Sequence, residues 1–406
     1  CVRGARAPSR RVPPMPEPAD IVADFRARYG TRPRLFRAPG RVNLIGEHTD
    51  YNDGFVMPAA IEFDTKVAAA PRRDRRLVVH SRLRDETAGI DLDAGPIRPS
   101  GAWHDYVFGV ARMLEAAGHR LVGCDMTVTS TVPIGAGLSS SAALEVAVAT
   151  ALTALAGIAL DPVAVARLCQ KAENEHVGMR CGIMDQYIAA RGVAGHALMI
   201  DCRSLEARPV AIDPRFRIVV ANSMVHHALA GGDDYNARRR SCEAGVAALA
   251  ARHGDAIPAL RDVTVATLEA GRDLVDDETF RRCRHIVTEN ARVLDAVAAA
   301  EAGDMARFGA AMDASHVSMR DDFEISCAEV DTMVDLARRL PGVLGSRMTG
   351  GGFGGCTVSL VAAEAVDDFA ARLRDAYRAA TGLDPDVFAC SPSAGAGEID
   401  PGGGAS

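Results

Sequence analysis

Pro133-Ile134-Gly135-Ala136-Gly137-Leu138-Ser139-Ser140-Ser141-Ala142-Ala143 is the stretch from which the organisation of the chain can be read. Its two glycines permit a tight turn and a close approach of a ligand to the backbone. Three consecutive serines add hydroxyls and N–H groups, and an apolar, alanine-rich run over 142–160 follows, as a buried helix would. The first N–H groups of a helix have no partner within it, so a glycine loop that feeds a helix start is a ready anion site. The helix dipole adds about 0.3–1 kcal/mol at an exposed end. Gly135, Ala136, Gly137, Leu138, Ser139, Ser140 and Ser141 therefore read as a phosphate cradle. The cradle matches neither common nucleotide motif. No lysine follows the glycines, as a P-loop requires, and Ser140 stands where a dinucleotide fingerprint has its third glycine. Asp161 lies about twenty residues on, where a ribose-binding acid is expected. It precedes Pro162 at a helix start rather than ending a strand, which weakens a nicotinamide-dinucleotide reading.

Residues 125–130, which lead into the cradle, alternate Met126 and Val128 with Thr127 and Thr129, as a half-buried strand should. Beyond the cradle, Asp161 and Pro162 are a good N-cap and first residue for a helix running towards Glu173, Asn174 and His176. Cys181-Gly182-Ile183-Met184-Asp185-Gln186-Tyr187 then sets Asp185 among apolar neighbours. A carboxylate there is paired with a cation, employed in chemistry, or a helix cap at a turn.

The chain has 406 residues, enough for two or three domains with sizeable cores. A hydrophobic share of 48% and a charged share of 24% are ordinary for a soluble globular protein. The net charge of −7 argues against a nucleic-acid binder. Ten cysteines form no C-x-x-C pair and no zinc-ligand spacing, which reads as reduced thiols of the cytoplasm. No apolar core of a secretory signal is visible near the start. The run over 142–160 is the nearest thing to a membrane span. It is dominated by alanine and threonine and carries Glu145, so a buried helix is expected and no membrane contact.

Residues 1–18, rich in proline and arginine and without periodicity, read as a disordered leader. Helical spacing follows over 20–29, and Leu35-Phe36-Arg37-Ala38 reads as a short strand ending at Pro39-Gly40. Next stands Gly40-Arg41-Val42-Asn43-Leu44-Ile45-Gly46-Glu47-His48-Thr49-Asp50-Tyr51-Asn52-Asp53-Gly54. Carboxylates and imidazole at this density offer directional acceptors and donors suited to a polyhydroxylated ligand. Composition alone favours a solvated loop turning at Asn52-Asp53-Gly54. A metal site from Glu47, His48 and Asp50 is a further option, but adjacent residues converge poorly.

Further strands are expected over 65–70, 76–80, 197–201, 216–221, 344–348, 356–361 and 388–390. Helices are expected over 105–117, 237–251, 277–300, 304–315, 329–340 and 364–381. This order is α+β, with no repeated βαβ unit. Trp103 reads as packing, and the run Arg238-Arg239-Arg240 mostly as a solvated helix face. The adjacent His226-His227 would point to opposite faces of an extended segment, which counts against a metal pair.

Residues 40–51 resemble the galactokinase signature without a gap, and 133–143 resemble the phosphate loop of the wider GHMP kinases (galactokinase, homoserine kinase, mevalonate kinase, phosphomevalonate kinase). Gly345-Ser346-Arg347-Met348-Thr349-Gly350-Gly351-Gly352-Phe353-Gly354-Gly355-Cys356 resembles their third motif. The resemblance runs over about 20–398. It implies a two-domain α+β fold of the GHMP-kinase kind, with mixed sheets flanked by helices and the active site in the cleft between the domains. The domains are expected at 19–201 and 202–398, with a flexible tail over 399–406. The implied activity is transfer of the γ-phosphoryl of ATP to the anomeric hydroxyl of α-D-galactose, the first committed step of galactose catabolism. Asp185 and Arg41 are the implied catalytic pair, and Glu47, His48, Thr49, Asp50, Gly182 and Tyr235 the implied sugar ligands. Ser141 and Glu173 are implied to hold Mg²⁺, with ATP as co-substrate, in a monomeric cytoplasmic enzyme. An aspartate beside an arginine is a weak base, so full proton removal by Asp185 and mere orientation of the hydroxyl both stay open here. Alternatives are a kinase for N-acetylgalactosamine or arabinose and a non-catalytic galactose sensor. Ser140-Ser141-Ala142 and Asp185 are all present, which counts against the sensor.

Overall fold

Buried strands that run apolar on both faces need layers on both sides, and two sheets in this chain have that character. The structure, a computed structural model, describes residues 18–225, 233–253 and 257–400. The expected leader up to residue 17, the His226-His227 pair and the end from residue 401 lie outside the described residues. The first half contains α1 (Pro18–Tyr29), β1 (Arg34–Asn43), β2 (Phe55–Val56), β3 (Pro58–Pro71), β4 (Arg76–Ser81), β5 (Glu86–Asp91) and α2 (Asp105–Ala116). It continues through β6 (Cys124–Ser130), α3 (Ser140–Ala156), α4 (Pro162–Ala172), α5 (Met184–Arg191), β7 (His196–Asp201) and β8 (Ala207–Ala211). The second half contains β9 (Phe216–Asn222), α6 (Asp233–His253), α7 (Val265–Ala270), α8 (Asp277–Glu301), α9 (Met305–Asp321) and α10 (Ala328–Arg338). It closes with β10 (Val343–Thr349), β11 (Cys356–Ala362), α11 (Val366–Thr381), β12 (Asp386–Cys390) and β13 (Gly397–Ile399).

The six-stranded sheet runs β13-β1-β3-β6-β4-β5, antiparallel except for the parallel pair β4 and β6. A four-stranded sheet β10-β11-β9-β12 forms the centre of the second half, and β2, β7 and β8 make a smaller third sheet. These are mixed and antiparallel sheets flanked by helices, an α+β architecture. The alanine-rich run becomes α3, which lies on β1 and β3 and buries Val146, Val148 and Leu152. Burying each such side chain stabilises the fold by about 1.5–3 kcal/mol. Gly157, at φ +67°, ends α3 before residue 160, because only glycine takes that left-handed cap without strain. Asp161 caps α4 through the N–H groups of Val163 and Ala164, with Pro162 as its first residue.

Several expectations need correction. β1 does not end at Pro39-Gly40: its register shifts between Pro39 and Arg41, and the bulge absorbs a proline that has no N–H to give the ladder. Gly40 sits there because a Cβ on it would stand 2.8 Å from the carbonyl oxygen of Leu138. Across the division expected after residue 201, β8 pairs with β7. Ile399 does not belong to a tail. It pairs with Leu35, and Glu398 bonds Arg34 at 2.8 and 2.7 Å, so the last described strand returns to the first sheet.

One apolar core crosses between the halves. Val42, Leu44 and Ile45 pack with Val293 and Val297 of α8, Phe308 of α9 and Val358 of β11. The polar loop that follows Ile45 is thereby anchored where the halves meet. Trp103 packs at the edge of the first-half core and donates Nε1–H to Glu86 at 2.8 Å. Among the described residues no helix is long and apolar enough to cross a membrane, and every cysteine is a free thiol.

Candidate active site

The cradle is a turn that only a special backbone can make. Gly135, Gly137 and Ser139 take φ of +72°, +76° and +60°, and at Ser139 this left-handed conformation is strained for a residue with a side chain. The Ser139 hydroxyl donates to Asp185 and does not cap α3, so the first N–H groups of that helix are left to a ligand. Ala136 and Leu138 are buried anchors of the turn; the Leu138 carbonyl accepts the Arg41 N–H at 3.1 Å. The third glycine motif packs directly on this turn. A Cβ on Gly350 would lie 2.6 Å from the Gly137 oxygen, and one on Gly355 would lie 3.0 Å from the Ala136 oxygen.

Beyond the bulge in β1, Arg41 points into the cleft and meets Asp185, in the first turn of α5. Nε and Nη2 donate to Oδ1 and Oδ2 of Asp185, each at 2.8 Å, while Nη1 donates to the Gly137 carbonyl. The Arg41 side chain is 5% exposed and that of Asp185 25%. The carboxylate is therefore held on one face by a fork and a hydroxyl, with its other face towards the cleft. Asp185 is thus paired with a cation in the fold.

The loop after Ile45 turns through His48 at φ +62°. His48 Nδ1 bonds the Tyr51 hydroxyl at 2.7 Å, and its Nε2 is buried. Burial away from water, with His285 nearby, holds the imidazole neutral by lowering its pKa to about 3. The Tyr235 ring, from the first turns of α6, lies 4.9 Å from the His48 ring and 5.7 Å from the Tyr51 ring. Asp50 accepts the N–H groups of Tyr51 and Met184 at 3.0 and 3.3 Å. Burial and the neighbouring Asp185 push its pKa up to about 6. Gly182 passes so close that a Cβ would stand 1.9 Å from Asp50 Oδ2. Glu47 is engaged from both sides, by Asn43 Nδ2 and the Gly350 N–H, each at 2.7 Å, with Arg347 3.7 Å away. Burial raises its pKa, against the pull of Arg347 and Arg41. Thr49 is the exception among the expected sugar ligands. Its hydroxyl bonds the carbonyls of Gly46 and Phe55 at 2.9 and 2.6 Å, closing the loop on itself, and it does not line the cleft.

Glu173 opens a π-turn, Glu173–Val177, at the end of α4, a distortion that recurs at functional sites. Its carboxylate takes a hydrogen bond from Ser141 and one at 2.6 Å from Gln186 Nε2. Burial, with Asp185 nearby, raises its pKa, and burial beside Glu173 raises that of Glu145. Ser141 and Glu173 are hard oxygen donors, of the kind Mg²⁺ takes. Among the described residues no group of three or more His, Cys, Asp or Glu could hold a metal by itself. The pair thus fits an ion that draws most of its ligands from phosphates and water.

One cleft collects Arg41, Glu47, His48, Asp50, Gly182, Asp185 and Tyr235 together with Gly135, Gly137, Leu138, Ser139, Ser140, Ser141 and Glu173. Ala136 stays behind it as packing. Reasoning from sequence passed over Glu145 and Gln186; the first had a signal, an acidic residue one helical turn after Ser141 in an apolar run. Arg238 also departs from expectation: it is buried and donates to the carbonyls of Phe323 and Glu324. The arrangement can seat polyphosphate at the helix start, a hydroxylated ligand against Asp50 and Tyr235, and a reacting hydroxyl at Asp185.

The galactokinase galactose-binding signature matches residues 23–71, and the GHMP kinase N-terminal and C-terminal domains match 105–193 and 296–379. The chain is 48% identical over 377 residues to a galactokinase of Roseiflexus sp. (strain RS-1), covering 92% of this chain and 95% of that one. It is 50% identical over 381 residues to a galactokinase of Chloroflexus aggregans, covering 93% and 97%. The galactokinase of Lactococcus lactis, solved in complex with galactose, superposes with a TM-score of 0.90 at 32% identity, over 94% of this chain and 99% of that one. The mevalonate kinase of Methanococcus jannaschii, at 17% identity and a TM-score of 0.61 over 90% and 99%, shares the fold.

Proposed function

This chain belongs to the galactokinase family of the GHMP kinases, and we propose that its cleft transfers the γ-phosphoryl group of ATP to the anomeric hydroxyl of α-D-galactose, giving α-D-galactose 1-phosphate and ADP. Phosphoryl transfer asks a protein mainly for alignment and for compensation of charge. The observation that carries the reading is Asp185, held by Arg41 and Ser139 between the phosphate cradle and the polar loop. The N–H groups from Gly135 to Ser141 receive the phosphates. Asp50, His48, Gly182, Glu47 and Tyr235, which line the cleft, bind the sugar. Asp185 then accepts a hydrogen bond from the anomeric hydroxyl and orients its oxygen towards the γ-phosphorus. The hydroxyl proton passes to Asp185 as the bond to phosphorus forms and the bond to the β-phosphate oxygen breaks. Arg41 holds the Asp185 carboxylate in place through two hydrogen bonds and balances charge at the transferring group.

Ser141 and Glu173 hold Mg²⁺, which when bound neutralises charge on the phosphate oxygens. Free thiols throughout the described residues support a reducing compartment such as the cytoplasm.

Steady-state kinetics with Mg-ATP and galactose, N-acetylgalactosamine, arabinose or glucose test the reading. Galactose is expected to give the highest kcat/KM. A clear preference for another sugar overturns the substrate, and ADP release independent of any sugar overturns the activity.

A further inference from the structure

Gln186 is fully buried, directly after Asp185, and an uncharged amide in such a place is costly unless its hydrogens are used. They are used on two carboxylates. Nε2 lies 2.6 Å from Glu173 Oε2 and 3.1 Å from Glu145 Oε2. Glu145 stands four residues after Ser141 on α3, hence on the same helical face, one turn deeper than the Ser141 hydroxyl. Glu173 keeps helical φ and ψ of −64° and −43° at the point where α4 gives way to the π-turn, and its long side chain is directed by the groups that bond its carboxylate. Asp185 and Gln186, adjacent on α5, thus face the two halves of the chemistry, one towards Arg41 and the other towards Glu173.

We infer that Gln186 is a positioning residue: its amide sets the Glu173 carboxylate towards Ser141 and ties that carboxylate to the helix that presents Asp185. Glu145 is the second anchor of the amide. A hydrogen bond from an amide to a carboxylate is charge-assisted and directional, which suits it to hold an acidic ligand in one orientation. This inference rests on the reading that Ser141 and Glu173 hold the divalent ion.

The test measures metal-dependent nucleotide binding in the absence of sugar. Calorimetry gives the affinity of a non-hydrolysable ATP analogue with and without Mn²⁺ for the parent, Gln186→Met and Glu173→Gln. Methionine keeps the length of the side chain and removes both donors. The gain in affinity that Mn²⁺ confers is expected to fall about 10–100-fold in Gln186→Met, with metal-free binding unchanged. Glu173→Gln is expected to lose at least as much. Loss in Glu173→Gln with a parental gain in Gln186→Met overturns the inference and leaves the metal reading standing. A parental gain in both overturns both. A lower Tm in Gln186→Met with the Mn²⁺ gain intact marks a merely structural residue and equally overturns the inference. Should Gln186→Met not fold, Gln186→Asn, which withdraws the amide by one methylene, is read in the same way.

Discussion

Arg41 and Asp185 meet through two parallel hydrogen bonds of 2.8 Å, and the same arginine reaches the Gly137 carbonyl in the phosphate cradle. One side chain therefore fixes the distance between the group facing the sugar and the loop facing the nucleotide. Asp185→Asn keeps the volume, removes the charge and leaves Arg41 buried beside a neutral amide. With no carboxylate to take the hydroxyl proton, kcat is expected to fall on the order of 10²–10⁴-fold. The galactose KM should stay within a few-fold, since the other sugar contacts remain. An unpaired buried cation also costs stability, so Tm should fall. Near-parental turnover with intact galactose binding would remove Asp185 from the reaction.

Asp50 carries a pH signature of its own. Burial and the adjacent Asp185 raise its pKa from 3.8 to about 6, so the folded state holds its proton more tightly than the unfolded state does. Stability from this group is highest in acid, falls as pH rises from about 4 to 6, and stays reduced above that. An asparagine at this position cannot ionise. Ligand-free Asp50→Asn is expected to melt above the parent at pH 7.5, with the gap narrowing as pH falls towards 4. His48, lowered to about 3, acts with the opposite sign but is common to both proteins and cancels in the difference. A gap that does not vary with pH contradicts the assignment.

How far the sequence discloses this site depends on how local each signal is. The helix expected over 277–300 is Asp277–Glu301 in the structure, because its apolar stripe repeats for seven turns within one stretch of chain. The helix Met184–Arg191 escaped notice because eight residues are too few for a period to show. The strand Ala207–Ala211 contains an arginine and a proline among its five residues, and the edge strand Glu86–Asp91 is mostly exposed, so neither alternates clearly. Glu398 and Ile399 pair with partners more than 360 residues earlier, a relation that no local pattern can carry. In the site, Thr49 has the chemistry of a sugar ligand, yet the tight loop claims its hydroxyl. Gln186 is the reverse case, an unremarkable residue type made significant by two carboxylates from other helices.

Gly182 tests the sugar side without strain in the backbone. A Cβ there would stand 1.9 Å from Oδ2 and 2.1 Å from Cγ of Asp50, which must swing away from the N–H groups of Tyr51 and Met184 that it accepts. Gly182→Ala should therefore lower Tm, through the two hydrogen bonds lost, while moving Asp50 off the sugar. Losing one hydrogen bond to a charged group costs about 1.5–3 kcal/mol, so the galactose KM should rise roughly 10–100-fold. The ATP KM should not change. A parental galactose KM would take Asp50 out of the sugar site.

Gly350 tests the nucleotide side, and here the backbone itself is in the way. An alanine Cβ would stand 2.6 Å from the Gly137 oxygen and 3.0 Å from its Cα, both in the main chain of the phosphate cradle. Residue 350 also takes φ +93°, where a side chain costs about 1–3 kcal/mol, and its N–H holds Glu47 at 2.7 Å. Gly350→Ala should push the cradle out of shape, raise the ATP KM by about 10-fold or more and lower kcat. Gly303→Ala supplies the control for strain alone. Gly303 takes φ +71° with nothing within 4 Å of the added Cβ, so its alanine should lower Tm and leave both KM values as they were. Equal kinetic behaviour of the two variants would mean that contact with Gly137 does not shape the cradle. A rise in ATP KM confined to Gly350→Ala would show that the third glycine motif braces the phosphate loop through that contact.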